Sequence, residues 1–398
     1  MIKPVRCILL LMMVPVFASA QIDPVKRELV QIGYNQALRG QPPFAGYAFY
    51  YLNKPDFIQT NLTLRLAIAP VYLDSELGIR QALGRNTDVG FGLAGGGFAD
   101  SYDEFEQGRF IKQQSFIGSG AAASVSLYHC FNPAQTIPLN GVLRSTLHYA
   151  TYAHDDTDPN FELPHDQWEG ILRAGLRWGG REPTLFPALG MELSVWYEGL
   201  LRSNPGTYGY HDREINAQSH LFWAQALLAY TLPKSKQNFY VSLTAGTSIE
   251  ADRFSAYRLG AMLPFSSEFP LSLPGYYFQE LSARQYVLLG GNYLIPLDKG
   301  DRWNLSFNAS TAWVDYLPGL EQSGHWNTGL GGGLLFQSSK KGLKLMIGYA
   351  YGVNAIRSGG RGANSIGILM QLDLEKTRAM LVNLNPLNSR GLQKIFGE

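Results

Sequence analysis

The chain has 398 residues, of which 16% are charged and 13% aromatic, with 43 glycines; ordinary soluble domains carry roughly 25% charged residues. Its 33 basic and 32 acidic residues balance, so there is no basic surplus to neutralise phosphates and nucleic acid is excluded as a partner. Beyond the first twenty residues no stretch reaches the roughly 18 uncharged apolar residues that a spanning helix needs, which excludes a helical membrane protein and suits a large outer-membrane β-barrel.

Lys3 and Arg6 precede an apolar run from Cys7 to Phe17, and Ala18-Ser19-Ala20 follows. That is the layout of a secretory signal peptide, residues 1–20, cleaved after Ala20. Cys7 lies inside the apolar run, so only Cys130 remains afterwards and a disulfide framework is ruled out. Residues 21–43 carry the most charge and the least alternation, and read as a periplasmic lead or a first strand.

From Phe44 onward strand-length segments dominate, and 44–374 reads as one barrel. Leu62, Leu64, Leu66 and Ile68 alternate with Thr63, Arg65, Ala67 and Ala69, which is lipid-out and lumen-in patterning. Tyr72 to Leu83 makes a second arm with Glu76, Gly78 and Arg80 on its polar side. The rule repeats through Val89-Phe91-Leu93, Ala123-Val125-Leu127, Leu143-Leu147-Tyr149, Leu172-Ala174-Leu176, Leu189 to Tyr197, Phe222 to Tyr230 and Phe239 to Ala245. An arginine facing lipid in mid-strand would cost about 2 to 4 kcal/mol. Arg65, Arg80, Arg144, Arg173 and Arg177, with Glu76, Glu192 and Glu198, are therefore assigned to the lumen as a charge set that pairs across it or lines an aqueous path. Tyr197, Tyr230, Tyr351, Trp178 and Trp313 lie near strand ends and read as interfacial anchors.

Long connectors at 100–114, 153–167 and 200–218 alternate with short ones at 84–86, 131–140, 179–187 and 233–237, as outer loops alternate with periplasmic turns. Carrying the parity forward makes 250–280 one long outer loop before the twelfth strand, in which Tyr286, Leu288, Gly290 and Asn292 alternate with Val287, Leu289, Gly291 and Tyr293. Four more strands follow, to Leu374. The fold expected is an all-β transmembrane antiparallel up-and-down barrel of about 16 strands, with 14 possible and both termini in the periplasm. Residues 375–398 form a periplasmic C-terminal tail.

Other motifs carry little chemistry. Gly90-Phe91-Gly92-Leu93-Ala94-Gly95 matches a dinucleotide pattern but lies in strand sequence with no helix behind it. His148, His154, Asp155, His165 and Asp166 fix no Ser-His pair by spacing, so no catalytic site, cofactor or metal is assigned. The acidic loop clusters Asp103-Glu104-Glu106 and Asp155-Asp156-Asp158 read as solvated, with divalent ions bridging lipopolysaccharide as the functional alternative.

Four stretches in order carry a resemblance: Gly275-Tyr276-Tyr277 at a loop tip, then Gly290 to Leu297, then Trp313-Val314-Asp315, then the run from Gly329 to Gly352. They resemble the bacterial surface antigen barrel, the translocation domain shared by outer-membrane protein-assembly factors and two-partner secretion transporters. The resemblance implies that the long outer loop folds back into the lumen. In the family the loop tip has an arginine before the glycine, paired with acidic groups on the next two strands. Here those positions read Pro274 and Asn292 while Asp315 remains, so Pro274, Gly275, Tyr276, Tyr277, Asn292 and Asp315 are the expected loop and lumen contacts, without the ion pair. Family assembly factors also carry periplasmic polypeptide-transport domains, for which there is no room between Gln21 and Phe44. The resemblance therefore implies a membrane-embedded conduit or insertion scaffold for protein or lipid in the bacterial outer membrane, surrounded by outer-membrane lipid and working with a separate periplasmic partner protein. A passive diffusion porin and a structural or adhesive surface barrel are the alternatives.

Overall fold

The computed structural model describes residues 23, 25–181, 184–261, 268–339 and 341–381; the expected signal peptide and most of the expected tail lie outside them. Sixteen strands form the wall. They are β1 Arg27–Ala37, β2 Gly46–Pro55, β3 Leu62–Ile68, β4 Tyr72–Ile79, β5 Thr87–Gly96, β6 Ile117–Cys130, β7 Leu139–Ala153 and β8 Gln167–Arg181. The second half holds β9 Leu189–Arg202, β10 Gln218–Thr231, β11 Asn238–Ile249, β12 Leu281–Pro296, β13 Trp303–Tyr316, β14 Trp326–Gln337, β15 Leu343–Arg357 and β16 Gly360–Asp373. Each pairs antiparallel with its sequence neighbours, and β1 pairs β16 from Leu29↔Asp373 to Ala37↔Ser365, which closes the sheet. Closure leaves no strand edge, the condition a sheet must meet to cross a bilayer. The segment 21–43 thus contributes the closing strand, and a short helix α1, Leu374–Leu381, follows β16.

Side-chain exposure follows the alternation. On β9, Leu193 and Val195 are 49% and 54% exposed on the outer face, whereas Glu192, Ser194 and Trp196 are at most 5% exposed inside. Outward Trp168, Trp326 and Tyr351 sit near one rim, and Trp178 and Trp303 near the other, consistent with interfacial anchoring at both bilayer surfaces. The wall is uneven: β3 and β4 have 7 and 8 residues, β6 to β10 have 14 or 15. A 14-residue strand tilted about 40° stands roughly 35 Å tall, and one of seven residues only about half that.

Short turns lie at the end with both termini and long loops at the other, so the short-turn end faces the periplasm. The long loops are packed against one another. Tyr102, Phe116, Phe161, Tyr208 and Ile215 make an aromatic core over the outer mouth, with Phe254 and Tyr152 against it. Glu104 was expected in a solvated acidic cluster. It is fully buried, 3.3 Å from both Arg213 and Arg253, and so ties three outer loops together.

Candidate functional site in the barrel lumen

The 250–280 loop leaves β11 and turns at once on Asp252, whose Oδ1 accepts the Phe254 and Ser255 amides at 3.0 Å. Its Oδ2 meets the Arg202 guanidinium at 2.6 Å. Arg202 also holds Glu169 at 2.8 Å, and Glu169 and Asp100 hold His148 at 3.3 and 3.2 Å. A chain of charges thus runs from the loop root along the inner wall to the outer loop between β5 and β6. Residues Tyr257–Leu259 then pair with the upper end of β12 as a short extra strand, continuing the edge that β11 occupies lower down.

The loop's innermost described residues are Glu268 and Phe269. Glu268 bridges Arg173 and Arg177 of β8, at 3.1 and 3.3 Å, while β9 supplies a second carboxylate to each, Glu198 at 2.6 Å and Glu192 at 3.3 Å. Phe269 stands edge-on to both Trp196 and Trp223, centroids 5.1 and 5.4 Å away, and those two indoles stack with each other at 6.1 Å. Arg177 lies 4.9 Å over Trp196 and Arg173 5.8 Å over Trp223, contacts worth about 1 to 2 kcal/mol each when desolvated. Burial by itself would raise the Glu268 carboxyl; the guanidiniums of Arg173 and Arg177 overcome that and hold it below its ordinary range.

The chain then returns to the wall. Gly275 has φ +84°, and a Cβ there would stand 1.9 Å from the Gly352 amide nitrogen. A Cβ on Gly329 would likewise stand 2.1 Å from the Pro274 carbonyl oxygen. The loop tip therefore rests directly on the backbones of β14 and β15, where only glycine leaves room. Tyr276 is fully buried and donates to Asn327 Oδ1 at 3.2 Å; Tyr277 donates to the Arg39 carbonyl at 3.0 Å and lies under the Arg357 guanidinium at 3.5 Å. Arg357 forms a two-pronged pair with Glu280 at 2.8 and 2.7 Å, with both side chains at most 1% exposed.

Pro274, Gly275, Tyr276 and Tyr277 are thus brought together against the inner wall. Asn292 is elsewhere: it faces the lumen nearer the periplasm, donates to Ser306 Oγ at 3.2 Å and opposes Asn308. Asp315 departs from the expected lumen contact. It shares the outward parity of Phe307 and Trp313 and pairs with Arg284 at 3.0 Å, close to the outer rim. Arg80 departs too, because β4 ends at Ile79 and Arg80 instead holds Asp56 and the Thr60 carbonyl in the next periplasmic turn. The remaining predicted charges do meet. Glu76 takes Arg65 at 2.9 Å and Arg144 at 3.4 Å, with Tyr128 donating to it at 2.6 Å, and Arg173 and Arg177 take Glu198 and Glu192 as given above.

Glu268, Glu280 and Arg357 were not identified from sequence. The available signal was that Glu268 and Glu280 are the only acids between Asp252 and Asp298, in a stretch facing a wall already read as rich in arginine. Among the described residues, no group of three or more His, Cys, Asp or Glu side chains is placed to hold a metal ion.

No family model matches the chain and no curated protein matches it. Solved structures do. BamA from Haemophilus ducreyi, crystallised without POTRA domains 1–3, aligns with a TM-score of 0.53 at 11% identity over 87% of this chain and 70% of its own. CdiB from Acinetobacter baumannii aligns with 0.53 at 10% identity over 87% and 60%, and CdiB from Escherichia coli with 0.56 at 10% over 88% and 64%. The chain spans under two thirds of the length of both CdiB chains. The resemblance read from four short motifs holds as a likeness of fold: this is a sixteen-stranded transmembrane barrel of the type found in BamA and CdiB.

Proposed function

We propose that the chain is an outer-membrane conduit or insertion scaffold for polypeptide or lipid, held shut at rest by its own 250–280 loop and served by a separate periplasmic protein. One observation carries this reading. Loop side chains Glu268 and Phe269 reach into the middle of the lumen and hold wall groups that any acidic or aromatic segment could engage equally well. A plug held by such contacts is exchangeable, because the competing ligand offers the same chemistry. The likeness to BamA and CdiB supports the same class of role, and no catalytic role is assigned. A diffusion porin needs a standing aqueous path, and the inward loop and the packed outer dome count against that reading.

The test is a photo-crosslinking amino acid placed at lumen-facing Ser194 or Ser242, with lipid-facing Val241 as control. Adducts to a polypeptide or lipid cargo from the lumen positions, absent from the control, are expected. Free passage of small sugars in liposome swelling with no lumen adducts would favour the porin.

A further inference from the structure

At the periplasmic end of the lumen lies an apolar cluster separate from the one under the inward loop. There Leu294 of β12, Leu335 of β14, Met346 of β15 and Leu369 of β16 all point inward, each at most 5% exposed, and each lies within four residues of its strand's periplasmic end. Inward leucines left facing water would be exposed apolar surface, and these are at most 5% exposed, so something apolar covers them. Their cover is Leu185, 4% exposed, with Phe186 beside it, from the turn between β8 and β9. In a ring of sixteen strands the β8–β9 turn stands diametrically opposite the β16–β1 closure. A turn from one side of the mouth is therefore seated on the other.

Polar contacts fasten it. The Leu185 amide donates to Gln371 Oε1 of β16 at 2.9 Å, Lys344 Nζ of β15 donates to the Leu185 carbonyl, and Asn238 of β11 donates to the Pro187 carbonyl at 3.0 Å. Gln371 Oε1 also accepts from Gln31 of β1 at 3.0 Å. One side-chain oxygen thus joins both strands of the closing seam to the turn, and Gln31 and Gln371 are 2% and 3% exposed. Phe186 adopts φ +52°, a conformation that costs a non-glycine residue free energy and persists where surrounding contacts hold it.

We propose that Leu185–Pro187 is a periplasmic gate, a hinged turn that seals the inner mouth of the barrel by latching onto β15 and the seam strand β16, whose Gln371 also holds Gln31 of β1. The gate is distinct from the inward loop and does not depend on what the barrel carries. Opening requires only that the turn swing out, exposing the apolar collar and removing one of the two hydrogen bonds that Gln371 Oε1 accepts. A periplasmic ligand able to occupy the collar would open the mouth and loosen the seam together.

The experiment uses the full chain in proteoliposomes, with Cys130 replaced by alanine and Ser310→Cys as a lumen probe on β13 above the collar. A bulky membrane-impermeant maleimide is added from the periplasmic face. With the native turn, modification is expected to be slow; Leu185→Asp, which puts a charge into the collar, should speed it at least tenfold. In a separate variant, Leu185→Cys with Leu369→Cys should form a disulfide on mild oxidation, and Ser310→Cys should then be protected until reductant is added. Heat-modifiable gel mobility reports that each variant still forms the barrel. Equal modification rates in native, Leu185→Asp and cross-linked proteins that all retain the barrel would overturn the proposal. Failure of the 185–369 pair to cross-link would overturn it independently.

Discussion

Arg357 and Glu280 are at most 1% exposed, and each is the other's counter-charge. Removing one member of such a pair typically costs 3–5 kcal/mol, because the survivor is left charged and dry. Arg357→Ala should therefore release the loop root, read as new protease cleavage between 250 and 280, and Arg357→Ala with Glu280→Gln should recover part of the protection. Gly275→Ala should unseat the loop tip by a different route, since its Cβ would strike the β15 backbone, and should give the same cleavage with the Arg357–Glu280 pair intact. Glu268 sets a pH dependence. Its folded-state carboxyl is held below the ordinary value of about 4.3, so its contribution is complete above that pH and is lost as pH falls below it. Loop protection should hold at neutral pH and weaken in acid, and Glu268→Gln should remove that part of the acid response. Sequence set Glu268 and Glu280 apart as the acids of this loop but could not pair them or single out Arg357, because a charge's partner is set by how the chain returns through space. Strand parity fixes only which side a residue faces.

At the level of elements, periodicity of two is local, so the wall was legible strand by strand, including the order of long and short connections and the position of the inward loop before the twelfth strand. Parity misled where it was carried past a strand's end. Arg80 lies one residue beyond β4; Asp315, by contrast, was assigned to the lumen by the family resemblance, and parity with Phe307 and Trp313 puts it outward on β13, where it is found. Strand length, by contrast, carries a prediction. β2 and β3 share only six paired positions, Tyr50–Pro55 against Thr63–Ile68, whereas the closing pair β1–β16 shares nine and β8–β9 thirteen. Native-state hydrogen exchange should therefore find its fastest strand amides in β2–β4 and not at the seam. Exchange that is fastest in β1 and β16 would contradict this.

For the molecule as a whole, the wall, the outer dome and the inward loop are the basis for the proposal that the resting barrel is shut. Outer loops share an aromatic core and a buried carboxylate above the mouth, and Glu268 and Phe269 occupy the middle of the lumen. Neither closure could be foreseen from composition, since a charged lumen serves an open channel and a plugged one equally well. The most direct measurement is the single-channel conductance of the purified full-length protein in a planar bilayer at neutral pH. The account predicts a closed baseline broken by brief, irregular openings that lengthen in Gly275→Ala. A large, steady conductance in the unaltered protein would contradict it.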